Sequence, residues 1–348
     1  MKRRGFLHGL IGAAALPAVV GRLVAEDRAE NRPGQPLVLP KGLHNGSTIG
    51  VVAPASSVNS ADMREFASTC AQLGWNVKFG PNVTKRSGYL SAPDAERAHE
   101  FMKFVEDPTI DGIICARGGY GVMRILPMLD FSVIRDARKV IMGFSDITAL
   151  LIAAYQLGGL VTFHGPVASS TFDGFTVASM MDCLASPTDE VRSGGTTFKD
   201  DRLTVLGSGV ARGRLVGGNL AMIASTLGTR YEIDTTGAIL FLEEISEEPY
   251  RVDRLLTQLW LAGKLQACAG IALGNFRDCE SKGLSFSEPS FTLQQVFEER
   301  ISSLGIPAVY GLPFGHVKSK LTLPLGVQAE LDATSRTFRL VQPSVSKV

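Results

Sequence analysis

The strongest constraint on the fold is an alternation of two periodicities between Thr48 and Phe163. Short β-rich apolar runs recur there, separated by stretches whose apolar residues fall three and four apart. Thr48-Ile49-Gly50-Val51-Val52-Ala53-Pro54 reads as a buried strand ended by Pro54. Ile110 to Ala116, Val140 to Phe144 and Val161 to Phe163 read the same way. Between them, Met63, Phe66, Ala67, Cys70 and Leu73 share a helical face that Ser60 can cap and Gly74 can close. Pro93 to Val105 is a second helix with Pro in its first turn, and Asp146 to Leu157 a third that stops at Gly158. Strands alternating with helices pair in parallel, with helices on both faces. The predicted class is α/β.

The remainder is mixed. Residues 172–212 are rich in Ser, Thr, Gly and Asp and read as a connection. Beyond them, Leu220–Leu227 and Pro249–Ala262 predict helices, and Ala238–Leu242 and Gly270–Gly274 buried strands. Val327–Leu331 and Thr337–Val341 alternate apolar and polar residues and predict a closing hairpin. At roughly 100–200 residues per domain, 348 residues predict two domains, over 46–171 and 213–348. With 45% apolar and 20% charged residues, the chain has the balance of a folded protein. Lys plus Arg is 35 and Asp plus Glu 34, a net charge of +1, so no global field favours nucleic acid. The five cysteines are dispersed with no C-x-x-C pair; they suggest no zinc site, and Cys70 and Cys115 read as small buried residues.

Residues 1–25 read as an address. Lys2-Arg3-Arg4 precedes a stretch from Gly5 to Gly21 without formal charge, shorter than the ~20 apolar residues of a bilayer span. Paired arginines before Gly-Phe-Leu resemble a twin-arginine signal, with a Sec signal or an uncleaved anchor as alternatives. Residues 26–45 read as a linker. The expected location is the periplasm, without stable membrane insertion after processing; the cytoplasm is the alternative.

In a parallel sheet, ligands sit beyond the carboxyl ends of the strands. Three segments there carry chemistry. In Gly143-Phe144-Ser145-Asp146-Ile147-Thr148, Ser145 stands between a strand and a helix, where N–H groups can stabilise an oxyanion. Ile147 replaces the second glycine of G-x-S-x-G, and either Ser145 or Asp146 could simply cap the helix. Arg117-Gly118-Gly119-Tyr120-Gly121 lets a ligand approach the backbone, or is an ordinary tight turn. Leu242-Glu243-Glu244 ends a strand with a carboxylate able to orient a histidine. Glu247 and Glu248 extend the acidic run, but no His is spaced for a metal, so none is expected. For a base, spacing leaves both His164 and His316 open; His8 and His44 lie in the signal and linker, and His99 on an Arg- and Glu-rich helical face read as exposed.

These segments, with His164-Gly165-Pro166, Val216-Gly217-Gly218-Asn219-Leu220, Tyr250-Arg251-Val252-Asp253-Arg254, Gly315-His316 and Leu323-Pro324-Leu325-Gly326, together resemble the serine LD-carboxypeptidases (muramoyltetrapeptide carboxypeptidases, peptidase family S66). The resemblance spans about Gly46 to Leu340. It implies a parallel-sheet N-terminal domain and a smaller β-rich C-terminal domain, with the active site in the cleft between them. It implies a triad of Ser145, Glu243 and His316, although the family often has Asp where Glu244 stands. Oxyanion donors would be the backbone N–H of Asp146 and of Gly119 or Gly118. Arg117 is a candidate for the substrate carboxylate. The implied reaction is cofactor-free release of terminal D-Ala from murein tetrapeptide. Cleavage of peptide–nucleotide antibiotics in self-immunity, or murein-fragment binding without catalysis, are the alternatives. A homodimer is left open.

Overall fold

The computed structural model describes residues 36–185, 197–281 and 290–347; the segment read as an export signal lies outside them. In chain order, β1 (Thr48–Val52), β2 (Asn76–Phe79), β3 (Gly112–Cys115), β4 (Val140–Gly143) and β5 (Thr162–His164) form a parallel sheet. Every residue of β3 and β4 is buried, because helices cover both faces. These helices are α1 (Ser60–Gln72), α2 (Asp94–Glu106), α3 (Val122–Ile125), α4 (Phe131–Ala137) and α5 (Thr148–Gly158). The strand order β5-β4-β3-β1-β2 reverses between β1 and β3. In such sheets the reversal is the usual place for a ligand. The loops after β1 and β3 line it, tied by Ser56 N–H to Gly118 O at 3.3 Å.

Beyond β5 the chain adds α6 (Gly174–Leu184), β6 (Thr197–Lys199), β7 (Thr204–Gly207), β8 (Val210–Asn219), α7 (Leu220–Thr226), β9 (Ile239–Ile245), α8 (Pro249–Leu261) and β10 (Gly270–Arg277). Then follow α9 (Leu293–Arg300), β11 (Ala308–Tyr310), β12 (Leu323–Leu325), β13 (Gln328–Asp332) and β14 (Thr337–Leu340). A second, eight-stranded sheet runs β6-β14-β13-β8-β9-β10-β11-β7, with its centre parallel and its flanks antiparallel. The predicted hairpin is β13–β14. One late strand leaves this sheet: β12 pairs antiparallel with β5, Leu323 opposite His164, and extends the first sheet. The α/β class and the β-rich second part are as the sequence implies.

Several local expectations change. Asn59, not Ser60, caps α1: its Oδ1 accepts from the N–H of Ala61 and Asp62, and the Asp62 carboxylate accepts from Asn59 N–H. Part of the segment read as linker packs on the body: Leu43 is buried, and Val38 N–H donates to Gly159 O at 2.8 Å. The stretch 172–212 carries α6, β6, β7 and the start of β8.

The charged face of α2 also divides. His99 is exposed, but Arg97 is 1% exposed and turns inward. Its Nε donates to Ala92 O at 3.0 Å, and Nη1 donates to the carbonyls of Pro54 and Gly121. Asp94 pairs with Nη2. One buried guanidinium thus fastens the loops after β1 and β3. Removing it leaves buried acceptors unpaired. Arg97→Met is expected to lower stability by about 3–5 kcal/mol in urea unfolding.

Candidate active site

β4 ends in Gly143, and Phe144 carries the chain into a 3-10 turn over Ser145–Ile147 that runs into α5. Ser145 has φ +63°. A non-glycine residue there is strained and is held by its surroundings. A serine with positive φ between strand and helix is the geometry of a nucleophile elbow, reached here without the second glycine. The capping alternative fails in the structure. Among the described residues no side chain caps α5, and the Asp146 carboxylate turns away to accept Val122 N–H at 2.9 Å. Burial pushes the Asp146 carboxyl upward.

That bond ties the Ser145 turn to Val122, directly after the segment Arg117–Gly121. Gly118 packs directly on Ser145: a Cβ at Gly118 would lie 2.8 Å from Ser145 Cβ and 3.1 Å from its Oγ. Only glycine permits this approach. Among the described residues, no acceptor takes the backbone N–H of Gly118, Gly119 or Asp146. Arg117 is exposed on the same turn.

β9 supplies the carboxylate. Successive strand residues face opposite sides, so Glu243 and Glu244 diverge. Glu243 is 0% exposed, and His316 Nδ1 donates to its Oε2 at 2.7 Å. Glu244 accepts from Asn219 Nδ2 at 2.9 Å, from Ala221 N–H at the start of α7, and from its own Ile245 N–H. Burial raises Glu244 to about 6. Glu243 therefore reaches the histidine, while Glu244 anchors a helix.

His316 sits in the loop before β12. Phe314 packs on Gly274, and Asn275 N–H donates to Phe314 O at 3.2 Å, fastening the loop to β10. Gly315 has φ +91°, and a Cβ there would lie 2.5 Å from Glu243 Oε2. The imidazole of His316 stands edge-to-face with Phe144, centroids 4.9 Å apart, which puts it beside the residue preceding Ser145. Ser145 and His316 are not hydrogen-bonded to each other in this structure, and among the described residues no group bonds the Ser145 hydroxyl. Such links commonly tighten only with substrate bound.

His164, the other histidine left open by spacing, is at the end of β5 in an aromatic cage of Phe144, Phe241 and Phe314. Among the described residues neither ring nitrogen has a partner, and burial lowers the imidazole to about 4. No carboxylate among the described residues bonds it. Sequence reasoning missed two residues. Thr148 Oγ1 accepts Asn219 N–H at 3.0 Å, joining α5 to the end of β8. Lys320 is 5% exposed, with Nζ 4.4 Å from the Phe144 ring centroid. A lysine opening the apolar run Leu321–Leu325 was the only available signal.

The LD-carboxypeptidase N-terminal domain matches residues 49–165, and the LD-carboxypeptidase C-terminal domain matches residues 212–331. The chain belongs to the LD-carboxypeptidase family. A probable murein peptide carboxypeptidase of Bacillus subtilis is 38% identical over 308 residues, 88% of this chain and 95% of that one. The crystal structure of a muramoyltetrapeptide carboxypeptidase from Oxalobacter formigenes superposes with TM-score 0.75 at 31% identity, covering 86% of this chain and 100% of that one. The structure of MccF in complex with glutamyl sulfamoyl guanosine gives TM-score 0.78 at 25% identity, covering 89% and 100%. The microcin C7 self-immunity protein MccF of Escherichia coli is 27% identical over 335 residues, 86% of this chain and 95% of that one. The family makes the chain a peptidase, and hence a hydrolase.

His164 also makes a pH prediction. It is neutral when folded, and its ordinary value of 6.5 falls to about 4. The unfolded chain then binds the extra proton first, so stability declines as pH falls from 6.5 through 4. The decline is on the order of 3 kcal/mol. Urea unfolding of His164→Phe across that range should show a shallower acid slope than the wild type; parallel slopes would contradict the assignment.

Proposed function

We propose that the chain is a serine LD-carboxypeptidase that releases terminal D-Ala from murein tetrapeptide. The observation that carries this is the His316 Nδ1–Glu243 Oε2 hydrogen bond, set beside a serine in the strained conformation of a nucleophile elbow. Glu243 fixes the tautomer in which Nε2 is free to accept a proton, and stabilises the imidazolium that results. His316 takes the Ser145 proton as Oγ attacks the carbonyl of the bond between the L-centred third residue and D-Ala. Negative charge gathers on the carbonyl oxygen. The backbone N–H groups of Asp146 and of Gly119 or Gly118 are its donors, each worth about 3–4 kcal/mol on the scale of known oxyanion holes. His316 then returns its proton to the departing amine of D-Ala. Water, activated by the same imidazole, releases the acyl group from Ser145.

Mass spectrometry of tetrapeptide incubated with the protein tests this reading. The wild type should yield tripeptide plus D-Ala. Ser145→Ala should lose about four orders of magnitude or more in rate, and Glu243→Gln about the same. Undiminished turnover by Ser145→Ala would overturn the reading.

The likeness to MccF supports a second reading, cleavage of a peptide–nucleotide conjugate by the same residues. Parallel assays on tetrapeptide and on an aminoacyl-nucleotide separate the two by kcat/KM. Export to the periplasm rests on the Arg3-Arg4 signal reading. Fractionation of tagged full-length protein should find it outside the cytoplasm, and Arg3-Arg4→Lys-Lys should retain it inside.

A further inference from the structure

A carboxypeptidase must recognise a free carboxylate about one residue beyond the carbonyl it attacks. One residue of extended chain is ~3.8 Å, so the recognising cation must stand close to the nucleophile. Lys320 approaches that region through its contact with Phe144. It lies four residues after His316, in a loop closed by Leu321 N–H to Pro313 O at 2.7 Å. Its own N–H donates to Thr176 Oγ1 at 3.1 Å, which fixes its backbone against α6. Its Nζ is over the ring of Phe144, the residue directly before Ser145.

The ammonium is also uncommitted. Among the described residues Nζ makes no hydrogen bond or salt bridge, and its contact is the Phe144 ring. Glu243, Asp173 and Arg277 are the charges that act on it, and none of them pairs with it. Glu243 is engaged by His316, and Asp173 accepts from Ser319 and Thr176. Burial brings the lysine down to about 8, so at neutral pH it is still charged yet poorly solvated. A cation in that condition gains more from an incoming carboxylate than one already in water, such as the exposed Arg117.

We propose that Lys320 is the residue that binds the terminal carboxylate of the substrate and makes the enzyme a carboxypeptidase rather than an endopeptidase. The inference rests on the LD-carboxypeptidase reading. It makes Lys320 a specificity residue, separate from the groups that move protons.

The test compares two substrates on the full-length protein: tetrapeptide with a free D-Ala carboxylate, and the same peptide ending in D-Ala amide. The wild type should favour the free acid. In Lys320→Met the ratio of kcat/KM for acid over amide should fall about 30-fold, mainly through KM for the acid, the scale of one lost charged hydrogen bond. Lys320→Arg should recover part of the ratio. Lys318→Met, at an exposed position in the same loop, should leave it unchanged. An equal loss on both substrates would overturn the inference and turn Lys320 into a support of the triad or the fold. An unchanged ratio would overturn it in favour of Arg117. If the wild type cleaves neither peptide, the carboxypeptidase reading itself fails and takes the inference with it.

Discussion

The site depends on one hydrogen bond that holds an excluded charge. Glu243 is wholly buried near the end of a strand; among the described residues only His316 bonds its Oε2, and its Oε1 has no partner. Burying a carboxylate is costly unless it is paired. The arrangement suits a group whose partner becomes cationic during a reaction, because the charge is compensated most fully at that moment. Neighbouring features serve that bond. Gly315 keeps clear of the Glu243 oxygen, Phe314 pins the loop to Gly274, and Glu244 holds α7 from the other face of the same strand.

A second constraint brings that pair to the serine. Ser145 belongs to the first sheet and Glu243 to the second. The chain resolves this after His316 by crossing back and adding β12 to the edge of β5, next to β4. The loop bearing His316 and Lys320 is thereby anchored to one sheet at Phe314 and to the other at Leu323. Phe144 lies at the meeting point, in ring contact with His164 and His316 and under the Lys320 ammonium. Packing of this kind positions side chains more firmly than a surface loop could.

Much of this was legible in the sequence, for identifiable reasons. β3 and β4 are buried on both faces and read as unbroken apolar runs, so the turn at Ser145 could be placed. β2 was missed because Asn76-Val77-Lys78-Phe79 is short, half polar and at a sheet edge. β8 was missed because Arg212 and Arg214 face outward to Glu330 and Asp234, while its glycines crowd the neighbouring backbone. Arg97 was read as part of a solvated face because helical periodicity does not show that loop carbonyls await it inside. The choice between His164 and His316 is not encoded in spacing at all. Among the described residues only His316, of the two, is bonded to a carboxylate, one 73 residues before it in the chain. The family resemblance, not local patterning, is what singles out His316 in the sequence.

Rapid-quench intact-mass and peptide-mapping spectrometry during turnover of tetrapeptide shows directly whether the Ser145 hydroxyl is acylated. Acylation of Ser145 should appear as a transient adduct equal in mass to the substrate less D-Ala, mapped to that residue, with none in His316→Ala. Release of D-Ala at the wild-type rate with no adduct, or with an adduct on any other side chain, would contradict it.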